Sequence, residues 1–131
     1  MEASLLQLRV YYEDTDVSGV VYHANYLRYF ERGRTEWLRG LGYSQESLRL
    51  EQGAAFTVAN MEIDFLAPAR LDDLLEVRTI VMQRRRASLV FEQALGLADH
   101  PARILARATV RVGCVDIVNF RPRGLPESLL R

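Results

Sequence analysis

The hydrophobic period changes twice along this chain, and that alternation constrains the fold more than any other feature. Leu6, Leu8, Val10 and Tyr12 alternate with Gln7, Arg9 and Tyr11, a period of two that predicts a half-buried strand. From about His23 to Leu41 the period lengthens. Tyr26, Phe30, Gly33 and Trp37 recur at helical spacing, with Leu27, Leu38 and Leu41 beside them. Arg32 and Glu36 stand four apart, able to pair on the wetter face. Gly40 and Gly42 supply stop signals. The apolar arc is wide, so this helix is expected to be covered on more than one side. A polar connector follows, and then period two returns. Phe56 and Val58 share one phase while Met61, Ile63 and Phe65 share the other, which predicts a bulge near Ala59 and Asn60. Leu75, Val77, Thr79 and Val81 mark a third strand, and Ala87, Leu89, Phe91, Gln93 and Leu95 a fourth. In the last strand Ile104, Ala106, Ala108, Val110, Val112 and Cys114 face away from Arg103, Arg107, Thr109 and Arg111.

The order is therefore one strand, one long helix and about four strands. Short connections favour antiparallel pairing. A curved antiparallel sheet wrapped round one buried helix satisfies these facts, an α+β architecture. Residues 117–131, with Pro122, Gly124 and Pro126, read as an irregular tail. A length of 131 residues suits one domain, 1–131.

Several chemistries are excluded at once. Charge is balanced, 17 basic against 17 acidic residues, so no global field calls for nucleic acid. Every basic residue is Arg, which removes Schiff-base lysines and a P-loop lysine. There is no G-x-S-x-G elbow and no G-x-G-x-x-G. With His23, His100 and Cys114 as the only imidazoles and thiol, no metal site is expected. The start, MEASLLQLRV, lacks the features of a signal peptide. No apolar window approaches the roughly 18 residues of a membrane span. One unpaired Cys fits a reducing compartment, and a cytoplasmic protein is the expectation.

The chemistry concentrates in "YYEDTDVSGVVYHANY", residues 11 to 26. Asp and Asn favour turns because their side chains bond nearby backbone groups. The stretch can be a strand-to-helix turn alone, with Asn25 or a neighbour capping the helix. A chemical reading stands beside that one. The first N–H groups of a helix are unpaired and carry partial positive charge. Val20, Val21, Tyr22 and His23 can aim such donors at a developing oxyanion. Asp16 lies a few residues upstream, within reach of the same point. A carboxylate beside an oxyanion hole can attack a reactive acyl group or take a proton from water. So weak a nucleophile suits an activated acyl compound such as a thioester. The imidazole of His23 is structural or functional with equal weight, and its backbone N–H matters more than its ring.

The segment "RVYYEDTDVSGVVYHANYLRYFERGRTEWLR" closely resembles the Tol-Pal-associated acyl-CoA thioesterases of Gram-negative bacteria, within the 4-hydroxybenzoyl-CoA thioesterase-like hotdog superfamily. "APARLDDLLEV", "SLVFEQ", "CVD" and "RPRGLPESL" follow in order, so the resemblance spans nearly the whole chain. It implies a hotdog fold and a homodimer with a shared active site, often paired into tetramers. It also implies that Asp16, the second acid of D-T-D, is catalytic. The backbone of His23 would be the oxyanion donor. Gly19 would be the glycine that lets the backbone approach the thioester. Ser18 stands where the family often has Gly. Some hotdog thioesterases carry the acid on the central helix, which makes Glu31 and Glu36 rivals. Arg28 and Arg32 lie at pairing distance from them and favour a salt-bridge reading.

The expectation is an acyl-CoA thioesterase using Asp16 as base or nucleophile, N–H groups of about Tyr22 and His23, and no cofactor. A hotdog 3-hydroxyacyl dehydratase is one alternative, with His23 and Asp16 or Glu36 as its pair. A non-catalytic acyl-thioester binder that docks on acyl carrier or lipid-synthesis proteins is another. Arg84, Arg85 and Arg86 fall between two strands at a hairpin tip. They read either as CoA-phosphate contacts, through bidentate donors, or as a solvated turn.

Overall fold

The computed structural model describes residues 3–129. Strand β1 is Ser4–Arg9, helix α1 His23–Gly40 and helix α2 Gln45–Gln52. Strands β2 (Ala54–Phe65), β3 (Leu74–Arg84), β4 (Ser88–Leu97) and β5 (His100–Asp116) follow. The strands form one antiparallel sheet in the order β1-β3-β4-β5-β2. One face of the sheet is apolar and α1 lies across it. This is the hotdog arrangement, α+β as the period changes predict.

The contact between helix and sheet is close. Tyr26, Tyr29, Phe30, Gly33, Trp37 and Leu38 are the buried apolar positions of α1, and they meet Leu75, Val77, Leu89, Phe91 and Leu95 in one core. Trp37 stands edge-on to Phe91, with ring centroids 5.0 Å apart. At Gly33 a Cβ would lie 2.7 Å from Val77 Cγ1 and 2.8 Å from Thr79 Oγ1, so only glycine lets the helix rest on β3. Beside it Gln93, fully buried, donates from Nε2 to the Phe30 carbonyl (2.8 Å) and to Thr79 Oγ1 (2.9 Å). Arg34 donates back to Gln93 Oε1 at 3.0 Å. Gln93 occupies an apolar phase of its strand, and these partners are what make its burial affordable.

The expected bulge is present as a register shift between Val58 and Asn60, and a second one occurs between Val81 and Gln83. Several expectations need correction. Tyr12 is outside the first strand. It opens a single 3-10 turn, Tyr12–Asp14, and is 82% exposed. The polar connector contains α2, whose Ser44 side chain accepts from the Ser47 N–H and whose C-terminus closes on Gly53 at φ +63°. Helix α1 is covered on one side only within this chain, because Leu27 and Leu41 are exposed. The irregular tail is anchored by a bridge of Pro122 to Val115 and by buried Leu125 and Leu129. Residues 130 and 131 of that segment lie outside the described residues. Among the described residues, no helix is long and apolar enough to cross a membrane.

The sheet gives the molecule two ends. At one, the start of α1 meets the end of β2 and the start of β3. There Val10 N–H donates to Asp73 O (2.9 Å) and Leu71 N–H to Gly19 O (3.2 Å). At the other, the β3–β4 hairpin meets the loop after β5. Cys114 N–H donates to Ala87 O and Leu125 N–H to Arg86 O, each at 2.8 Å.

Candidate active site

The loop between β1 and α1 folds back on itself. Thr15 and Val21 pair as an isolated antiparallel bridge, and Val20 pairs with Arg70. Between them Asp16 N–H donates to Val20 O (3.0 Å) and Gly19 N–H to Asp16 O (3.1 Å). Gly19 closes this reversal at φ +79°, and a Cβ there would meet nothing within 4 Å. Within the chain the need for glycine is thus torsional. The reversal displays Asp16 outward.

The Asp16 carboxylate is fixed at one oxygen. Oδ1 accepts from Ser18 Oγ (2.5 Å) and from Ser18 N–H (2.8 Å). These two bonds, the hydroxyl's first, hold the carboxyl below the usual carboxylate range against the opposing effect of desolvation, and His23 adds to the lowering. Oδ2 receives no hydrogen bond from any other described residue. The group is therefore ionised at neutral pH, held in one orientation and open on one side.

Asp16 and His23 line the same open groove, with Tyr26, Phe65, Leu66 and Pro68 among its walls. The His23 ring stands edge-on to Phe65 with centroids 4.9 Å apart, and Tyr26 does the same at 5.3 Å. Tyr26 also accepts the Ala69 N–H at 3.0 Å, which ties the far wall to the helix. Nothing caps α1 through a side chain; its N-cap is Tyr22. Asn25, expected as a possible cap, instead turns its amide to Asp14.

The N–H groups at the helix start are not equivalent. Val21 N–H donates to Ala69 O at 2.8 Å and Tyr22 N–H to Asp14 O at 3.0 Å. Tyr22 is expected to share the oxyanion, and in this structure its N–H is bonded within the loop. The His23 N–H, first in the helix, has no acceptor among the described residues. The rivals on the helix do not join the site. Glu36 is ion-paired with Arg39, not with Arg32, and Glu31 is exposed. Arg32 lies over the Tyr29 ring and Arg28 donates to Asn25 Oδ1.

Asp14 was legible as an acid but not as a buried one. Only 8% exposed, it accepts from Tyr11 N–H (2.9 Å) and from Asn25 Nδ2 (2.5 Å). Burial raises its pKa. The bonds from Tyr11 and Asn25, with the adjacent Tyr29 hydroxyl and the charge of Arg32, outweigh that and hold the carboxyl below the ordinary value.

Arg84, Arg85 and Arg86 do sit at the β3–β4 tip, all exposed, but at the opposite end of the sheet from Asp16. Phe65 pairs with Ala106 and Ala106 with Leu95, whereas the tip adjoins Ser88, roughly 23 Å further along β4 at strand rise. One chain does not bring the arginines and Asp16 together. Arg84 donates to Leu129 O at 3.2 Å. Among the described residues no group of three or more His, Cys, Asp or Glu side chains is placed to hold a metal ion.

Comparison with known proteins gives this groove a context. Residues 18–100 match the family model described as the thioesterase superfamily. The acyl-CoA thioester hydrolase YbgC of Escherichia coli O6:H1 is 48% identical over 123 residues, covering 94% of this chain and 90% of that protein. The acyl-CoA thioesterase YbgC of Haemophilus influenzae is 48% identical over 93% of this chain and 88% of that protein. Among solved structures, a probable thioesterase from Bartonella henselae superposes with a TM-score of 0.88 at 38% identity, covering 95% of this chain and all of the other. With its helix, its sheet and the groove at the helix start, the chain belongs to the thioesterase superfamily.

Proposed function

We propose that this protein hydrolyses acyl-CoA thioesters to a free carboxylic acid and CoA. The observation that carries the reading is the pairing of an ionised, half-open Asp16 carboxylate with the unpaired His23 N–H on one groove. The thioester carbonyl oxygen accepts the His23 N–H, where the helix end favours negative charge. In one route Asp16 Oδ2 takes a proton from water as the water oxygen attacks the carbonyl carbon. In the other Oδ2 attacks first and water cleaves the resulting anhydride. Either way the C–S bond breaks and the thiolate leaves as CoA. A thioester is activated enough to need neither metal nor redox cofactor for this. The names of the relatives support the same substrate class.

The active form in this reading is a homodimer or a pair of dimers in the cytoplasm. Strand β2 has an unpaired edge, and Val58, Phe65 and Leu27 are exposed. A second copy laid antiparallel also brings Arg84, Arg85 and Arg86 toward the groove, where CoA phosphates need cations. The test is thiol release from short, long and aromatic acyl-CoAs, with light scattering on the same sample. Hydrolysis by a dimer or larger assembly is expected. Binding without hydrolysis would make this a binding module, and loss of water from a 3-hydroxyacyl thioester would make it a dehydratase.

A further inference from the structure

The loop that presents Asp16 holds a second carboxylate that the chemistry above leaves unused. Asp14 is two residues from Asp16 yet faces the opposite way, into the protein. A buried carboxylate is costly unless several donors meet it. Here the donors come from both sides of the loop. Tyr11 N–H, at the exit from β1, reaches Oδ2, and Asn25 Nδ2, in the first turn of α1, reaches Oδ1. Arg28 holds the other end of the Asn25 amide at 3.2 Å, which fixes its orientation. The Tyr29 hydroxyl is buried beside the pair without closing a hydrogen bond among the described residues. The backbone of the same residue does something further. Asp14 O accepts the Tyr22 N–H, so the first donor left for a ligand is that of His23.

We propose that Asp14 is a positioning residue: its carboxylate ties the end of β1 to the first turn of α1, and its carbonyl takes the Tyr22 N–H, so that Asp16 and the His23 N–H keep one separation. A turn residue that only needed to reverse the chain could be neutral and exposed. An ionised acid held by donors on both flanking elements converts two flexible junctions into one rigid point. Rigid placement is what the reaction requires, since misplacement by about 1 Å can cost on the order of 100-fold in rate. The catalytic part of this inference rests on the thioesterase reading; the clamp itself does not.

The test uses two variants and two readouts. Asp14→Asn places a donor against the Asn25 donor while keeping the shape. The exchange Asp14→Asn with Asn25→Asp restores the pairing in reverse, and it keeps an acceptor for both Tyr11 and Arg28. Amide hydrogen exchange reads the clamp directly. In Asp14→Asn the Tyr22 and Asp16 amides are expected to exchange at least ~10-fold faster, with β4 and β5 amides unchanged. On the best substrate, kcat is expected to fall at least ~10-fold with KM within about twofold, and the double exchange to recover most of it. Unchanged Tyr22 and Asp16 amides would overturn the clamp. Local loosening with an unchanged kcat would overturn the positioning role, and so would a loss of kcat that tracks faster exchange of the whole sheet. Where Asp14→Asn does not fold, Asn25→Ala removes one tie alone and is read by the same criteria. If the wild-type protein hydrolyses no thioester, the functional reading has failed, and the exchange arm still decides the clamp.

Discussion

The two ends of the sheet are built on opposite principles. At the Asp16 end, polar groups are organised: Asp14 is saturated by the loop and helix, Asp16 is fixed at Oδ1, and two of the helix-start donors have acceptors. Glu13, Asp14, Asp16, Asp72 and Asp73 lie at that end, with Arg9, Arg28 and Arg70 among them. At the Arg84–Arg86 end, the side chains are exposed, and Arg121 and Arg123 on the neighbouring loop add to the same charge. The first end holds the Asp16 carboxylate beside the helix start. The second holds the arginine cluster, and its own acid, Asp116, is fixed at Oδ1 by the Val118 and Asn119 N–H groups. A substrate with an acyl group at one extremity and phosphates at the other needs both, and the length of the strands keeps them apart in one chain.

The sharpest way to break this contrast is at Asp16. Asp16→Asn keeps the shape and the Ser18 bonds but removes the charge. Turnover is expected to fall at least ~100-fold, with an unchanged circular dichroism spectrum and melting curve, because the side chain is exposed. Near-normal turnover in a folded variant would remove Asp16 from the mechanism.

The basic end gives a smaller and different signature. Replacing Arg84, Arg85 and Arg86 with Ala is expected to raise KM for acyl-CoA several-fold at low salt and to flatten its salt dependence, since exposed charges are screened. kcat should hold, because the reacting atoms are distant. An acyl thioester lacking the nucleotide is the control and should not respond. An unmoved KM at low salt would leave these arginines as a solvated turn.

The mildest change refines the Asp16 end. Ser18→Gly removes the hydroxyl from Asp16 Oδ1 and leaves the backbone donor. The hydroxyl is the first of the causes that depress this pKa. Activity carried by the ionised acid is full above the depressed pKa and is lost as pH falls through it. Without the hydroxyl the pKa rises toward the ordinary value of about 3.9, so the acid limb of kcat/KM should move to higher pH, with the rate at neutral pH little changed. A limb that stays in place would mean that another group controls it.

How much of this was legible in the sequence follows from the range of the interactions involved. Helix α1 and the bulge at Val58 were legible because each writes a change of period into neighbouring residues. Helix α2 was not, since Leu48 is its one buried residue and the remainder reads as a polar connector. Its Ser44 cap and Gly53 stop were the signals that could have found it. Tyr12 continues the alternation of β1 beyond its end, and only the Tyr12–Asp14 turn ends that strand. The turn that carries Asp16 and the helix start beside it were legible as a motif. That the Val21 and Tyr22 N–H groups are already bonded was not, because their acceptors, the carbonyls of Ala69 and Asp14, meet the helix start only in the folded chain. The arginine tip was legible as a hairpin, but its distance from Asp16 required the strand register.

The register shift between Val58 and Asn60 has a consequence for fidelity in a crowded cell. A flat strand of twelve residues at a sheet edge is an open invitation to any extended segment of any protein. The bulge divides β2 into a piece ending at Val58 and a piece running from Asn60 to Phe65, with a bend between them. An ordinary strand can follow one piece or the other, too short a contact to hold. A bulge on an exposed edge is thus a guard against amyloid-like recruitment, placed on the longest edge strand the sheet offers.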